Sequence, residues 1–205
     1  MKTSAIFDAL LENLKVGETA SSVASRRDEI AKALNKNFRS KDTCTDYKLM
    51  VGSFGRHTAI KDVSDLDMIF VLPPGIRASY ASEAGPRRML ERVRDVLIAR
   101  YPNTTVRVDQ CVVRVQFTSN AFKFEVQPAF QNADGSFDYP DTKAKCWKIT
   151  KPRDEIAATK ATNDRTSTNM RHLARMARAW KNANGVNMGG LLIDTLVHNF
   201  FAETN

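Results

Sequence analysis

The chain has 205 residues, 42% of them hydrophobic, and a formal net charge of +8 at pH 7. Its length and composition predict a globular protein with a substantial core, in one large domain or two small ones. They predict no membrane span, because the longest apolar runs, 68–72 and 191–197, are far shorter than the roughly 20 residues that cross a bilayer. The positive charge favours polyanionic ligands such as nucleotides or nucleic acid, although a basic surface without such a ligand is about equally common.

The N-terminus and the cysteines indicate the compartment. Asp8 and Glu12 interrupt the first apolar positions, so the N-terminus does not resemble a secretory signal and we expect a cytoplasmic protein. Cys44, Cys111 and Cys146 are odd in number, widely spaced and without a nearby histidine partner. They therefore predict reduced thiols in the core and neither a disulfide framework nor a zinc knuckle.

The first half of the chain mixes helical and strand patterns. Apolar residues at helical spacing predict helices over about 3–16 and 20–38. Short strands are predicted at 47–51 and at 66–72, where two prolines and a glycine end the second strand. An amphipathic helix over about 82–101 is expected to pack on the resulting sheet.

Three more strands are predicted at 106–108, 111–117 and 122–126, with a turn at Ser119–Asn120. The polar segment 131–145, rich in Asp, Gly and Pro, is predicted to be a loop.

From about Pro152 to the end of the sequence, the apolar residues show helical spacing and no strand pattern. This spacing predicts helices over about 153–161, 164–182 and 190–202, and therefore a second, helical region of the chain.

A phosphate-binding segment is predicted after the first strand. The sequence 51–58 precedes a short helix-like stretch, so backbone N–H groups at its start would point outward towards an anion. Gly52 lets a ligand approach the backbone closely, and the Ser53 hydroxyl supplies a further hydrogen bond. Together with the basic Arg56 they are our candidate phosphate-binding residues. A serine that only caps a helix gives the same short pattern and is the commoner case.

Asp65 and Asp67 form the first candidate metal site. They are two residues apart on a predicted strand, so their carboxylates share one face while Leu66 and Met68 face the core. Such carboxylates repel each other unless a cation lies between them, and oxygen ligands of this kind suit magnesium. The alternative is a solvent-exposed pair at a strand edge. Asp62, whose spacing breaks the alternation, is interpreted as a loop residue.

Glu125 is an acidic residue within an otherwise apolar predicted strand. An unpaired acid in such surroundings is costly. If this strand lies next to that of Asp65 and Asp67, the three carboxylates complete a two-metal site. In such a site one ion binds a donor triphosphate and the other activates the incoming hydroxyl. The alternation also allows Glu125 to face water from an edge strand.

Gly52-Ser53, Asp65-x-Asp67 and the strand carboxylate Glu125 before a proline together resemble the signature of the polymerase β-like nucleotidyltransferase superfamily. Gly-Ser-Phe-Gly-Arg-His-Thr-Ala-Ile, Ser-Asp-Leu-Asp and the later helical region most resemble the cyclic-oligonucleotide synthases, the CD-NTase family of cyclic GMP-AMP synthase and DncV. The resemblance extends from about Tyr47 to the C-terminus. It implies an α+β fold, in which a palm with a mixed β-sheet flanked by helices is joined to a helical lobe that closes over the nucleotide.

The domain organisation implied by this resemblance has three parts. Residues 1–40 form N-terminal helices that bridge the lobes, residues 41–150 form the nucleotidyltransferase palm, and residues 151–205 form the helical lobe. Because the last predicted helix runs almost to the end of the sequence, we expect the lobe to continue further in the natural protein.

Two basic residues are candidates for holding the triphosphate. In the family, a basic residue two before a tryptophan and a serine at the start of the next helix help to hold the donor triphosphate. The sequence Ala-Arg-Ala-Trp-Lys at 177–181 resembles the first part, which makes Arg178 the first candidate and Lys181 the second. The alternative is a solvated helix face that includes Arg178 and Lys181, with Trp180 in the core.

The chain departs from the family pattern at three positions. Gly190 stands where the serine would stand, Glu125 replaces the usual aspartate, and Gln127 replaces a usual apolar residue. These departures concern the details of the substrate more than the reaction.

The resemblance implies an enzyme that joins nucleoside triphosphates, ATP among them, into a cyclic oligonucleotide second messenger and releases pyrophosphate. It implies two Mg²⁺ ions, with Mn²⁺ as a substitute, held by Asp65, Asp67 and Glu125. Catalysis would rest mainly on positioning and charge stabilisation. The implied setting is bacterial antiphage (CBASS-type) signalling, with a separate effector that reads the product, a regulatory protein partner and no membrane.

Other functions use the same residues. A terminal nucleotidyltransferase that extends RNA, or an antitoxin-type transferase, would need the same site, and an RNA substrate would give affinity that falls steeply with salt. A catalytically silent nucleotide-binding module is the alternative of another class. The three acids argue against it, because a site that only binds has no need for three costly carboxylates.

Overall fold

The computed structural model of the chain describes residues 3–17, 19–61, 65–117 and 123–203. Helices α1 (Thr3–Asn13) and α2 (Thr19–Arg39) begin the chain, as their apolar spacing predicts. Some sequence predictions lie outside the described residues: those on Asp62, Ser64, the turn at Ser119–Asn120 and the strand start at Phe122.

A mixed β-sheet is the centre of the fold. Its strands are β1 (Lys48–Met50), β2 (Asp65–Val71), β3 (Thr105–Asp109), β4 (Val112–Gln116), β5 (Lys123–Gln131), β6 (Phe137–Asp141) and β7 (Cys146–Thr150). Five of them are ordered β1-β2-β5-β4-β3, while β6 pairs with the end of β5, and β7 pairs with β6. Strands β2 and β5 are parallel, and the other pairs are antiparallel.

Alternation along the strands separates the two faces of the sheet. Leu66 and Met68 of β2 and Phe124 of β5 are completely buried against helices α2 and α4 (Gly85–Arg100). Successive strand residues point to opposite faces, so Asp65, Asp67 and Glu125 lie on the face away from this core. The sheet therefore separates the main hydrophobic core from the acidic face.

The hairpin of β6 and β7 corrects the sequence prediction, which assigned 131–145 to a loop and placed no strand after it. Apolar residues of this hairpin face solvent: Ile149 is 68% exposed, and Cys146 is exposed as well. The hydrophobic pattern of the sequence therefore does not reveal the two strands. Two buried contacts fix the hairpin instead. Phe137 is fully buried, and Trp147 Nε1 donates a hydrogen bond of 2.9 Å to the carbonyl of Tyr80, at the end of an unpredicted 3-10 helix.

Three helices follow the sheet: α5 (Pro152–Arg165), α6 (Asn169–Ala183) and α7 (Gly190–Glu203). The predicted boundary between the first two was wrong. Helix α5 continues to Arg165, and the chain turns at Ser167 and Thr168, both of which have positive φ angles (49° and 73°). No glycine or proline marks this break in the sequence. Met170, Ala174 and Val197 then pack α6 and α7 together.

The predicted burial of the cysteines was wrong, and so was the alternative that placed Trp180 in the core. Cys44, Cys111 and Cys146 are free, as expected, but the first two are only partly buried and Cys146 is exposed. Trp180 is 57% exposed and not part of the core. Within the described ranges, no helix has both the length and the apolar character that crossing a membrane requires.

Candidate active site

The three predicted metal ligands lie on neighbouring strands. In the parallel ladder of β2 and β5, Asp65 is opposite Lys123 and Asp67 is opposite Glu125. Partners in a ladder point to the same face of the sheet, so the three carboxylates lie on one face. The two-metal hypothesis required this adjacency. Glu125 is also not a water-facing edge residue, because β5 is flanked by β2 and β4 and its side chain is 17% exposed.

The predicted phosphate segment packs directly against Asp67. The segment forms the one-turn helix α3 (Gly52–Gly55), and the Val51 amide donates a 3.0 Å hydrogen bond to the Asp67 carbonyl. Gly52 has a φ of 60°, and a Cβ atom there would lie 1.9 Å from Asp67 Oδ2. The Ser53 carbonyl closes the turn by accepting the Thr58 amide at 2.9 Å. Only glycine fits at position 52, on both conformational and steric grounds.

Burial, together with repulsion from the neighbouring acids, changes the titration of Asp67. Its pKa is raised to about 6, mainly by burial and then by the negative charges of Glu125 and Asp65, while Arg56 opposes the shift. Asp65 and Glu125 are therefore close enough to Asp67 to disfavour its ionised form. A divalent cation between them would relieve that repulsion.

Two basic side chains of the chain itself pair with these acids. Lys123 Nζ lies 2.9 Å from Asp65 Oδ1. Arg114 Nε donates to Glu125 Oε1 at 2.8 Å, and Arg114 also forms an ion pair with Asp109. Asp67 has no such ion pair among those found in the described residues.

The donor set fits a magnesium ion at Asp65 and Asp67. Both residues line a neighbouring cleft, and Asp67 Oδ2 occupies the space that a side chain at position 52 would need. Oxygen donors of this kind are those that Mg²⁺ prefers. Among the described residues, no group of three Asp, Glu, His or Cys side chains is arranged to hold an ion as it stands. The Glu125 carboxylate is paired with Arg114 in this structure, and its role as a metal ligand stays a prediction.

A cleft of about 500 Å³ opens beside this acidic face. This volume is within the range of roughly 300–1,000 Å³ that is usual for small-molecule sites. The cleft is bounded by the α3 turn, β2 and the three C-terminal helices. Its lining includes Gly52, Ser53, Arg56, Asp65, Asp67, Gln127, Glu155, Arg178, Lys181, Asn182 and Gly190.

Arg178 and Lys181, the candidates for holding the triphosphate, line this cleft from α6. The Arg178 side chain is only 12% exposed, so it does not belong to a solvated helix face. Its Nη2 atom donates to Asp194 Oδ2 at 2.7 Å and to the Gly190 carbonyl at 2.9 Å. Arg178 is thus a partly enclosed cation at the wall of the cleft.

Arg56 is also at the cleft, but carboxylates surround it. It is 5% exposed, its Nε donates to Asp194 Oδ2 at 2.7 Å, and its Nη1 donates to Glu155 Oε2 at 3.0 Å. Its charge is therefore balanced within the protein, and its role in binding phosphate stays a prediction.

Sequence reasoning missed Asp194 and Glu155. Asp194 interrupts the apolar run Gly-Leu-Leu-Ile-Asp-Thr-Leu-Val of α7 and is buried, as Glu125 interrupts the apolar run of its strand. An acid in such a run signals a buried partner. That signal was present in the sequence and indicated that a basic residue had to lie nearby.

Residues 1–163 match the model of the Second Messenger Oligonucleotide or Dinucleotide Synthetase domain, abbreviated SMODS. The chain belongs to this family. The match confirms the resemblance inferred from the glycine-serine and aspartate motifs. No curated protein sequence matches the chain.

Several solved structures share the fold of this chain. One is E. coli MS115-1 CdnC in a CdnC:HORMA-deltaN complex (TM-score 0.72, 15% identity, 99% of this chain and 64% of that one). Another is Rhodothermus marinus CdnE c-UMP-AMP synthase with Apcpp and Upnpp (0.65, 16%, 91% and 71%). A third is Vibrio cholerae DncV cyclic AMP-GMP synthase with a linear intermediate (0.68, 11%, 96% and 71%).

These structures confirm the α+β, polymerase β-like fold class, with a mixed sheet flanked by helices. At these identities the likeness concerns the fold. The SMODS chain described here spans less than two thirds of the length of the E. coli CdnC chain.

Proposed function

We propose that this SMODS protein is a metal-dependent nucleotidyltransferase that joins nucleoside triphosphates into a cyclic oligonucleotide second messenger. The observation that supports this most is the common face of Asp65, Asp67 and Glu125, next to the Gly52 turn and the 500 Å³ cleft. Two of the similar proteins are a c-UMP-AMP synthase and a cyclic AMP-GMP synthase, which supports the same reaction class here.

Each residue has a proposed role in this reaction. Asp65 and Asp67, with Glu125 as the third ligand, would hold Mg²⁺. The ion would supply positive charge to the triphosphate and lower the pKa of the attacking ribose hydroxyl. Gly52 and Ser53 would bind the β- and γ-phosphates.

Three basic residues, Arg56, Arg178 and Lys181, would offset the remaining negative charge of the triphosphate. The ribose hydroxyl would lose its proton to water as its oxygen forms a bond to the α-phosphorus. The bond between the α-phosphorus and the α–β bridging oxygen would break, and pyrophosphate would leave.

The proposed domain organisation places the palm at 41–150 and the helical lobe at 151–205, bridged by helices within 1–40. Contacts support this division, because α2 packs on α4 and β2 whereas α1 contacts α6. The cleft lies where the sheet meets α5, α6 and α7, which is where a nucleotide between two lobes would bind.

We propose bacterial antiphage signalling in the cytoplasm as the setting, with a separate effector that reads the product. The complex of E. coli CdnC with a HORMA protein supports a regulatory protein partner for this chain. The basic net charge of +8 is suited to polyanionic substrates such as ATP.

Product analysis tests the proposed reaction. The protein is incubated with the four ribonucleoside triphosphates and Mg²⁺ or Mn²⁺, and phosphatase-resistant products are identified by mass spectrometry. A cyclic product is expected from the wild type and from the surface variant Asp95→Ala, but not from Asp65→Ala/Asp67→Ala. Extension of an added RNA would identify a terminal transferase instead. A lack of any product, with RNA and candidate activators present, would indicate a silent binding module.

A further inference from the structure

Asp194 is a buried acid that pairs with two of the arginines lining the cleft. Its side chain is 3% exposed, and its Oδ2 atom accepts three hydrogen bonds. The donors are Arg56 Nε at 2.7 Å, Arg178 Nη2 at 2.7 Å and Thr58 Oγ1 at 2.9 Å. A buried carboxylate with two arginine partners is strongly held, and removing it would leave buried positive charge without compensation.

These contacts connect distant parts of the chain. Arg56 and Thr58 directly follow the Gly52 turn, whereas Arg178 is on α6 and Asp194 is in the second turn of α7. One carboxylate thus joins the turn beside the acidic face to two of the C-terminal helices.

Gly190 restricts Arg178 from a second side. A Cβ atom at position 190 would lie 2.5 Å from Arg178 Nη1, so the guanidinium occupies the space that any side chain there would need. Arg178 Nη2 also donates to the Gly190 carbonyl at 2.9 Å. The orientation of Arg178 is therefore set by Asp194 and by the absence of a side chain at Gly190.

We propose that Asp194 is a positioning residue that holds Arg178 in the orientation needed to bind the triphosphate of the substrate. This inference rests on the function proposed above and assigns to Asp194 a role through Arg178 and not a contact with the nucleotide. Arginine binds phosphate through directed hydrogen bonds, so its affinity for phosphate depends on how its guanidinium is fixed. The opposite hypothesis is that Asp194 competes with phosphate for Arg178. It predicts tighter binding when the acid is removed.

A double-mutant cycle on ligand binding distinguishes these hypotheses. Titration calorimetry with tripolyphosphate and with each ribonucleoside triphosphate, in the presence of Mg²⁺, would compare the wild type, Asp194→Asn, Arg178→Gln and the double variant. We expect each single change to weaken binding about tenfold and the double variant to bind no more weakly than Arg178→Gln alone. Circular dichroism confirms that each variant is folded, and Asp164→Asn on the exposed face of α5 is the matched control.

If Asp194→Asn does not fold, Asp194→Glu is the second variant that tests the proposal. It keeps the buried charge but moves the carboxylate by one methylene group, so we expect binding to weaken roughly two- to fivefold. Wild-type or tighter binding in Asp194→Glu or Asp194→Asn, or additive losses in the double variant, would overturn the role of Asp194 and leave the proposed function intact. If the wild type binds none of these ligands, both proposals are wrong.

Discussion

Gly52 and Asp67 are so close that a methyl group on the glycine would lie 1.9 Å from Asp67 Oδ2. Replacing Gly52 by alanine must therefore displace the carboxylate or the turn, and its φ of 60° also disfavours any side chain. We expect Gly52→Ala to lower the rate of product formation at least about 100-fold, as ångström-scale displacements in active sites do. Stability should fall by about 1–2 kcal/mol.

The control for this change is Gly75→Ala, because no heavy atom lies within 4 Å of a Cβ at Gly75. It should leave both product formation and the urea midpoint unchanged. Product formation by Gly52→Ala at the wild-type rate would show that Asp67 does not need its present position.

Asp67 should destabilise the metal-free protein at neutral pH. Because its pKa is raised to about 6, the folded state holds its proton more tightly than the unfolded state does. The protonated form of Asp67 therefore favours the folded state. This contribution to the free energy of unfolding is complete below the unfolded pKa near 4 and is lost as pH rises through 6. Asn has no charge to lose, so Asp67→Asn should be more stable than the wild type by about 1–3 kcal/mol at pH 8.

Urea unfolding in EDTA at pH 4 and pH 8 measures this effect. The gain of Asp67→Asn should be present at pH 8 and absent at pH 4, while the exposed Asp95→Asn shows no such pattern. A variant that is less stable than the wild type at pH 8 would mean that the acid is already compensated within the protein.

Lys123 should compete with a metal ion for Asp65. Its Nζ atom lies 2.9 Å from Asp65 Oδ1, on the strand next to both aspartates. Removing a positive charge at this distance strengthens the attraction of the remaining carboxylates for a divalent cation. We expect Lys123→Gln to bind Mn²⁺ about three- to tenfold more tightly, as measured by electron paramagnetic resonance of free Mn²⁺. Lys160→Gln on α5 is the control, and weaker binding by Lys123→Gln would indicate that the lysine keeps Asp65 in place.

Local patterns were enough to predict the parts of the site that lie within single elements. Period-two alternation placed Asp65 and Asp67 opposite the core residues Leu66 and Met68, which are fully buried. The parallel pairing of β2 with β5 could not be derived in the same way. It joins Asp67 to Glu125 across 58 positions of sequence, and alternation alone does not specify which strands are neighbours.

The same limit explains the missed partner of the arginines. The contact between Arg56 and Asp194 spans 138 positions and depends on how α7 packs against the α3 turn. Likewise, β6 and β7 have only five residues each and β7 is mostly exposed, so the hydrophobic pattern does not reveal that β6 pairs with β5 and β7 with β6. The sequence does contain acids within apolar runs. Such acids indicate that a buried partner is needed, but they do not indicate which residue that partner is.

Asp141 should stabilise this hairpin in a pH-dependent way. Its pKa is lowered to about 2 by the hydrogen bond from Lys148, the Ala144 amide and further donors from Gln110 and Lys143. Its ionised form therefore stabilises the fold fully above the unfolded pKa near 4, and this contribution is lost as pH falls towards 2. We expect Asp141→Asn to melt at a lower temperature than the wild type at pH 6, with a difference that shrinks below pH 4.

Thermal melts at pH 6, 4 and 2.5 test this prediction, and Asp164→Asn is again the exposed control. Asp141 accepts the Lys143 and Ala144 amides with Oδ1, at 2.9 and 3.0 Å, and asparagine can retain those two bonds through its own oxygen. The carboxylate oxygen Oδ2, which pairs with Lys148 at 2.6 Å, is the one that Asn replaces with a donor. A melting difference that stays constant from pH 6 to pH 2.5 would therefore assign the effect to the shape of the turn and not to the charge of Asp141.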